Sequence, residues 1–446
     1  MRPSSRRSVA VPSPIPKLLV LLLLFLLSTL RAGSSSESRI GKQEDDDLLD
    51  RDDAQLEDTI GPNWSDSMAP GEICGTFKKY RARLVARGES LESLGPVCAE
   101  LGACDNPINR DAAIPSFVTP SKTYRLSIHV LCENGGWRCA ATQADVSTAV
   151  ARLNTDYAPW HIQFVADSTF INNTKYRYLA DSEEQGMKRS YADSPSTKIN
   201  IYVVDTGGPC WGTFPWWSDA LTYRGGIVMD VRYFGVNSPY PTILTHEVGH
   251  CLGLWHVFHG TDEVDQCSAC YEPAGRIAEE GDVTGDWCSD TNPTRLNNSF
   301  CDDPPGTDPC NGNSWLETPY LNYMSYSNAC HDHFTPQQAG RMHCWTSAVL
   351  RGWLVSPTPP GAPTLTKLSG GQVLVEWADN SNDEVGFRVQ REKKSGPKWI
   401  NTQIIADVAA NTTSITDAPG TGTFRYRVMA YNGADSAWTA WTQINN

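Results

Sequence analysis

At 446 residues the chain has room for two or three domains. Its formal net charge of −14, with no basic stripe or aromatic-interleaved basic patch, excludes a nucleic-acid partner. The charge is unevenly spread: between Glu37 and Asp58 ten acidic and three basic residues account for half of the excess. Such a segment has too few large apolar groups to fold alone.

Ahead of it, Arg2, Arg6, Arg7 and Lys17 lead into ten apolar residues, Leu18 to Leu27, with the small residues Ala32, Gly33 and Ser34 beyond. This is the layout of a secretory signal peptide over residues 1–33. The apolar run falls short of the roughly 20 residues that cross a bilayer. No membrane span is expected after signal removal, an uncleaved anchor being the lesser alternative. A secreted, oxidising destination agrees with fourteen cysteines and with Asn-x-Ser/Thr acceptors at Asn63, Asn172, Asn297 and Asn411. Residues 34–121 read as an acidic, partly disordered pro-region. It contains Cys74 and a basic stretch, Lys78 to Arg87, that looks open to trypsin-like cleavage.

From Tyr124 the pattern is that of an α/β domain. Tyr124 to Leu131 alternates as a strand, with Leu126, Ile128 and Val130 on one face. Gln143 to Leu153 places Val146, Ala149, Val150 and Leu153 at helical spacing, with Thr142 as its cap. Trp160 to Ala166, Ile199 to Asp205 and Gly226 to Asp230 read as further strands. A twisted sheet with one backing helix, and a second helix carrying the site, is expected.

That second helix holds Thr245-His246-Glu247-Val248-Gly249-His250-Cys251-Leu252-Gly253-Leu254-Trp255-His256, which contains three of the nine histidines. His246 and His250 are four apart and share a helix face, where two imidazoles can share a metal ion. Glu247 sits beside them, placed to take a proton from water. Gly253 suits the positive φ of a sharp turn, which swings His256 back as a third ligand. His-Glu-x-x-His-x-x-Gly-x-x-His is the metzincin zinc-protease motif, and it calls for a methionine turn downstream. Leu321-Asn322-Tyr323-Met324-Ser325-Tyr326 supplies one. Cys74 is then either a thiolate cap on the zinc, removed with the pro-region, or one half of a disulfide.

Several blocks in order resemble the pappalysin family of metzincins across about residues 122–355. They are Asn200 to Asp205, Gly225 to Asp230, Leu244 to His250, Asn322 to Tyr326, and Cys330 followed by Phe334-Thr335-Pro336-Gln337 and Arg341-Met342. The resemblance implies a secreted zinc endopeptidase acting on protein or peptide substrates. His246, His250 and His256 would be the ligands of one catalytic zinc, Glu247 the general base, and Tyr326 would approach the zinc or the reacting carbonyl oxygen. It also implies structural calcium near Asp286, Asp290 and Thr291, and disulfides joining Cys301 to Cys330 and either Cys267 or Cys270 to Cys310. Members that prefer basic residues carry an acid shortly after the turn methionine. Here that stretch is Ser327-Asn328-Ala329, so the resemblance does not carry over a preference for Arg or Lys.

The expected fold is an α/β (α+β) metzincin domain with a twisted mixed sheet over residues 122–355. A Pro-rich linker, 356–361, leads to an all-β module at 362–446 that is similar to a fibronectin type III sandwich, with Trp377 in its core and Tyr426 on a late strand. Such a module can bind an extracellular partner. The rival functional reading is a non-catalytic, zinc-stabilised binding or adhesion protein acting through that module. Glu247 argues against it, since zinc ligation alone does not need the carboxylate.

Overall fold

The computed structural model describes residues 73–86, 102–296 and 301–446. The signal peptide, the acidic segment from Glu37 to Asp58, Arg87, Asn63 and Asn297 lie outside these. Asn172 and Asn411 are exposed.

Near the N-terminal end of the described chain are helix α1 (Thr76–Ala86) and a short helix α2 (Pro107–Ala112). Strand β1 (Lys122–Cys132), helix α3 (Gln143–Tyr157) and strand β2 (Ile162–Asn172) follow, then helix α4 (Glu184–Tyr191) and strands β3 (Ile199–Val204) and β4 (Ile227–Asp230). The strands form one sheet in the order β2-β1-β3-β4. All three of these strand pairings are parallel. Antiparallel bridges add the opposite direction at its margins, Trp211 to Val228 on the outer edge of β4 and Tyr124 to Leu354 at the start of β1, so the sheet is mixed, as expected. A parallel sheet is covered on both faces, and here Tyr124, Leu126, Ile128 and Val130 face one core while Leu131, Tyr202 and Val204 face another that includes Met187 of α4.

Thr142 caps α3 through a capping box with Asp145. At the other end of α3, Asp156 accepts from Thr245 Oγ1 at 2.6 Å and Tyr323 Oη at 3.0 Å, and Tyr157 Oη donates to Thr245 O at 2.9 Å. The backing helix therefore anchors the segment that carries the histidines.

Helix α5 (Ile243–Cys251) carries the site, and helix α6 (Pro336–Trp345) closes the body behind it. The sequence reading did not mark α6 as a helix. Its start signals are Thr335 in a capping box with Gln338 and Pro336 in the first turn, but the segment is short and interrupted by Gly340. That glycine is needed because a Cβ would meet Arg110 O at 2.5 Å. Close approach lets α2 lie on α6, and the disulfide Cys104–Cys344 joins the two segments covalently. Beside it Arg341, fully buried, pairs with Asp105 at 2.8 Å and donates from Nε to Gly253 O. Residues 102–113 are thus joined covalently and by a buried ion pair to the body that carries α5 and α6.

The C-terminal module is a sandwich of two antiparallel sheets. Strands β5 (Thr364–Lys367), β6 (Val373–Glu376), β7 (Gly386–Ser395), β8 (Lys398–Ala409), β9 (Ser414–Asp417), β10 (Thr423–Tyr431) and β11 (Thr442–Asn445) pair as β11-β10-β7-β8 and β5-β6-β9. Its core joins Val373, Val375 and Trp377 to Phe387, Val389, Phe424, Tyr426 and Val428.

Breaking the buried pair by Asp105→Ala strands the Arg341 guanidinium in the interior. A loss of about 3–5 kcal/mol of unfolding free energy is expected, read by urea denaturation of the chain.

Candidate metal centre

All nine residues of α5 are buried, as suits a helix that is apolar around much of its surface. It ends where Leu254 N donates back to Gly249 O at 3.0 Å and Gly253 takes φ +100°. A Cβ at Gly253 would also lie 2.1 Å from the Trp345 ring, so conformation and packing both demand glycine. The reversal brings His256 beside the helix. The Nε2 atoms of His246, His250 and His256 lie 3.1, 3.1 and 3.2 Å from one another.

Each ring is held by its other nitrogen. His246 Nδ1 donates to Tyr323 O at 2.7 Å and His250 Nδ1 to Leu254 O at 2.8 Å, while His256 Nδ1 meets Glu263 Oε1 at 2.6 Å. A carbonyl cannot donate, so the Nδ1 of His246 and of His250 carries the proton and Nε2 is left with a bare lone pair. Burial, then the neighbouring histidines, hold His246 neutral, its pKa pushed down to about 3, and His250 well below the usual range. Lone pairs this close repel unless a cation lies between them. Four-coordinate zinc, with bonds of about 2.0–2.1 Å, sets such nitrogens roughly 3.3 Å apart. The donor set fits zinc.

Met324 is fully buried beneath α5, where a Cβ on Gly249 would lie 2.6 Å from its sulfur. Its turn supplies the Tyr323 carbonyl that orients His246, and the Met324 carbonyl accepts from Val257 N at 3.2 Å. His331, not a ligand, holds Ser325 Oγ and Thr242 Oγ1 at the two ends of this contact. Glu263 is the functional residue that sequence reasoning missed. It joins His256 to His259, and no motif marks it.

Glu247 is wholly buried, and burial raises its pKa to about 8. Its Oε2 accepts from Thr76 Oγ1 at 3.0 Å, and its Oε1 has no hydrogen-bond partner. Tyr326 Oη donates to Cys74 O at 2.7 Å. Cys74 Sγ lies 3.4 Å from His250 Nε2. The sulfur and the three imidazole nitrogens all fall within 4.8 Å of one another, the one such convergent group among the described residues. Cys74 forms no disulfide. Cys210, Cys251 and Cys288 are also free, buried thiols.

Residues 73–75 reach the site by extending the sheet edge, with Gly75 N donating to Cys210 O and Cys210 N to Ile73 O, both at 2.7 Å. Helix α1 follows and lays Phe77, Tyr80 and Leu84 against Phe214, Trp217, Trp255 and Trp287. The stretch read as trypsin-accessible is therefore only partly so. Lys79 and Arg83 are buried in ion pairs with Glu184 and Asp219, while Arg81 is exposed.

Cys267 is bonded to Cys310 and Cys301 to Cys330, with a further bridge Cys132–Cys139; Cys270 is also disulfide-bonded, to none of these. The calcium set does not converge. Thr291 Oγ1 donates to Asp286 Oδ1 at 2.7 Å, but Asp290 turns away to accept from Thr335 Oγ1 and Gln337 N at the start of α6. A helix N-terminus satisfies that carboxylate without a cation. Ser327 and Asn328 are buried after the methionine turn and bring no carboxylate.

A three-histidine site on a helix that ends at glycine, seated on a methionine turn, defines a metzincin-type centre. Comparison with known proteins agrees. A peptidase M43 family profile, described as pregnancy-associated plasma protein-A, matches residues 192–346. Human pappalysin-1 is 37% identical over 223 residues, covering 48% of this chain but only 13% of that protein. Extracellular metalloproteases of Verticillium alfalfae (31% over 222 residues, 46% of this chain and 69% of theirs) and Colletotrichum graminicola (33% over 221, 46% and 70%) match the same extent. Among solved structures, Tannerella forsythia promirolysin aligns with TM-score 0.43 and 18% identity over 61% of this chain and 93% of its own. The fibronectin type III domain of human fibronectin type III domain containing protein 3 aligns with TM-score 0.18 and 16% identity, over 21% and 87%. The chain belongs to the peptidase M43, or pappalysin, family.

Gly253→Ala forces a strained turn into the Trp345 ring and displaces His256. Zinc content after dialysis against a weak chelator should fall below that of the parent chain. The strained backbone should cost about 1–3 kcal/mol of stability, measured by thermal melting.

Proposed function

We propose that this chain is a secreted zinc endopeptidase, held latent by its own residues 73–86. The extracellular metalloproteases it matches support the destination. The observation that carries the reading is that Cys74 and Thr76 together engage the histidine cluster, one oxygen of Glu247 and the Tyr326 hydroxyl. His246, His250 and His256 would hold the zinc, and Cys74 Sγ takes the fourth direction. Thr76 Oγ1 fills the acceptor of Glu247, and the Cys74 carbonyl fills the donor of Tyr326.

A zinc ion at this position supplies Lewis acidity, lowering the pKa of water by several units to roughly 7 and polarising a peptide carbonyl. The protein does the rest. Glu247 Oε2, once Thr76 has left, accepts a proton from the attacking water and passes it to the leaving amine. Tyr326 Oη, released from Cys74 O, donates to the carbonyl oxygen as negative charge develops there. Glu263 and the Tyr323 and Leu254 carbonyls keep the imidazoles in register throughout. Activation requires that residues 73–86 go while residues 102–113 stay, the latter pinned by Cys104–Cys344.

Zinc content and cleavage of an unfolded protein should be compared for the processed wild type and Glu247→Gln. Both should hold about one zinc, since three histidines suffice. The variant should lose at least about 100-fold in rate. Zinc without cleavage in both would favour the non-catalytic binding reading instead. In the unprocessed chain Cys74→Ser should raise activity, because a hydroxyl is a poorer zinc ligand than a thiolate. Unchanged latency would remove Cys74 from the mechanism.

A further inference from the structure

Helix α1 carries two cations into the interior, where Lys79 and Arg83 are each 7% exposed. Burying a cation is costly unless a matched anion awaits it, and the anions here belong to the body that remains after α1 departs. Arg83 Nη1 meets Asp219 Oδ2 at 2.6 Å, and its guanidinium lies 4.5 Å from the centre of the Trp217 ring. Lys79 pairs with Glu184 Oε2, its ammonium 4.6 Å from the centre of the Trp211 ring. Each cation sits between a carboxylate and an aromatic face, a combination that selects positive charge.

Both sockets are built without the helix. Asp219 lies in a tight turn, its carbonyl accepting from Thr222 N and Thr222 Oγ1 at 2.9 Å. Among the described residues Arg83 is its only ion-pair partner. Glu184 Oε1 is held by Trp211 Nε1 at 3.0 Å and Lys188 at 2.9 Å, leaving Oε2 as the oxygen that Lys79 takes. The aromatic floor runs on to the metal centre: Tyr80 packs on Trp217 and Phe214, and the Phe214 ring lies 5.3 Å from that of His250. Departure of α1 bares this floor and both carboxylates at once.

We propose that Asp219 with Trp217, and Glu184 with Trp211, are cation-selecting subsites of the substrate cleft. The activated protein then prefers segments with Arg and Lys side chains about one helical turn apart and an aromatic residue near them. This rests on the endopeptidase reading. It locates a basic preference away in sequence from Ser327–Ala329, in the loop between β3 and β4 and at the start of α4.

The test takes the full chain trimmed by trypsin until residues 73–86 are lost. Two peptides are compared that differ only in carrying Arg or citrulline one helical turn from a Lys; citrulline keeps the shape and removes the charge. The Arg peptide should be cleaved with kcat/KM at least about tenfold higher, and Asp219→Asn should collapse that ratio toward one. Equal rates for Arg and citrulline in the wild type overturn the subsites, without requiring any variant to fold. Continued cleavage of an unfolded protein would show that the endopeptidase reading survives that failure. Binding to the Glu247→Gln form, followed by fluorescence anisotropy, separates the remaining outcomes. A preference for Arg in binding, with no cleavage of any substrate by the wild type, sinks the endopeptidase reading and keeps the sockets. No preference in either measurement sinks the subsites outright.

Discussion

Three imidazole lone pairs pointed at one another from just over 3 Å are the constraint around which this protein is built. Such an arrangement is unfavourable in an apolar interior without a cation, and the chain enforces it from three directions. The methionine turn supplies the Tyr323 carbonyl, the reversed end of α5 supplies the Leu254 carbonyl, and the loop beyond supplies Glu263. Each support is in turn held: the turn by Asn322 bonded to Gln338 of α6, the helix by α3 through Asp156 and Tyr157. The fold is thus a set of braces for three nitrogen atoms, and the sheet is the platform on which those braces stand.

Much of this was legible from residue types alone, because the chemistry fixes spacing. Two histidines one helical turn apart, a glycine at the required reversal and a methionine in a tyrosine-rich turn each answer a local geometric need, and local needs leave local patterns. The alternating β1 and the capped α3 were readable for the same reason. What did not show was set by contacts distant in sequence. Glu263 becomes important only once Gly253 has turned His256 toward it. Asp290 reads as a calcium ligand until α6 presents a helix N-terminus to it. Lys79 and Arg83 look like solvated charges in a basic run, and nothing nearby in sequence announces Asp219 or Glu184.

The N-terminal segment illustrates how one short stretch can oppose several groups together. Residues 73–75 use backbone hydrogen bonds at the sheet edge, Cys74 and Thr76 use single polar atoms at the reacting centre, and α1 uses aromatic area and ion pairs. These contributions are of different physical kinds, so no single change of salt or acidity loosens all of them.

The junction with the C-terminal sandwich has a mechanical consequence. Asn432 Nδ2 donates to Val355 O at 3.0 Å and to Asp383 Oδ2 at 3.1 Å, and Gly433 packs so tightly on Leu354 that a Cβ would lie 2.9 Å from it. Val355 N in turn donates to Thr123 O at 2.7 Å, and Leu354 bridges Tyr124 at the start of β1. A tension applied through the sandwich is therefore delivered to the root of a central strand and not absorbed by slack in the proline-rich connection. Tethering the module to a fixed surface would hold the cleft at a defined angle to that surface, as a bracket holds a blade.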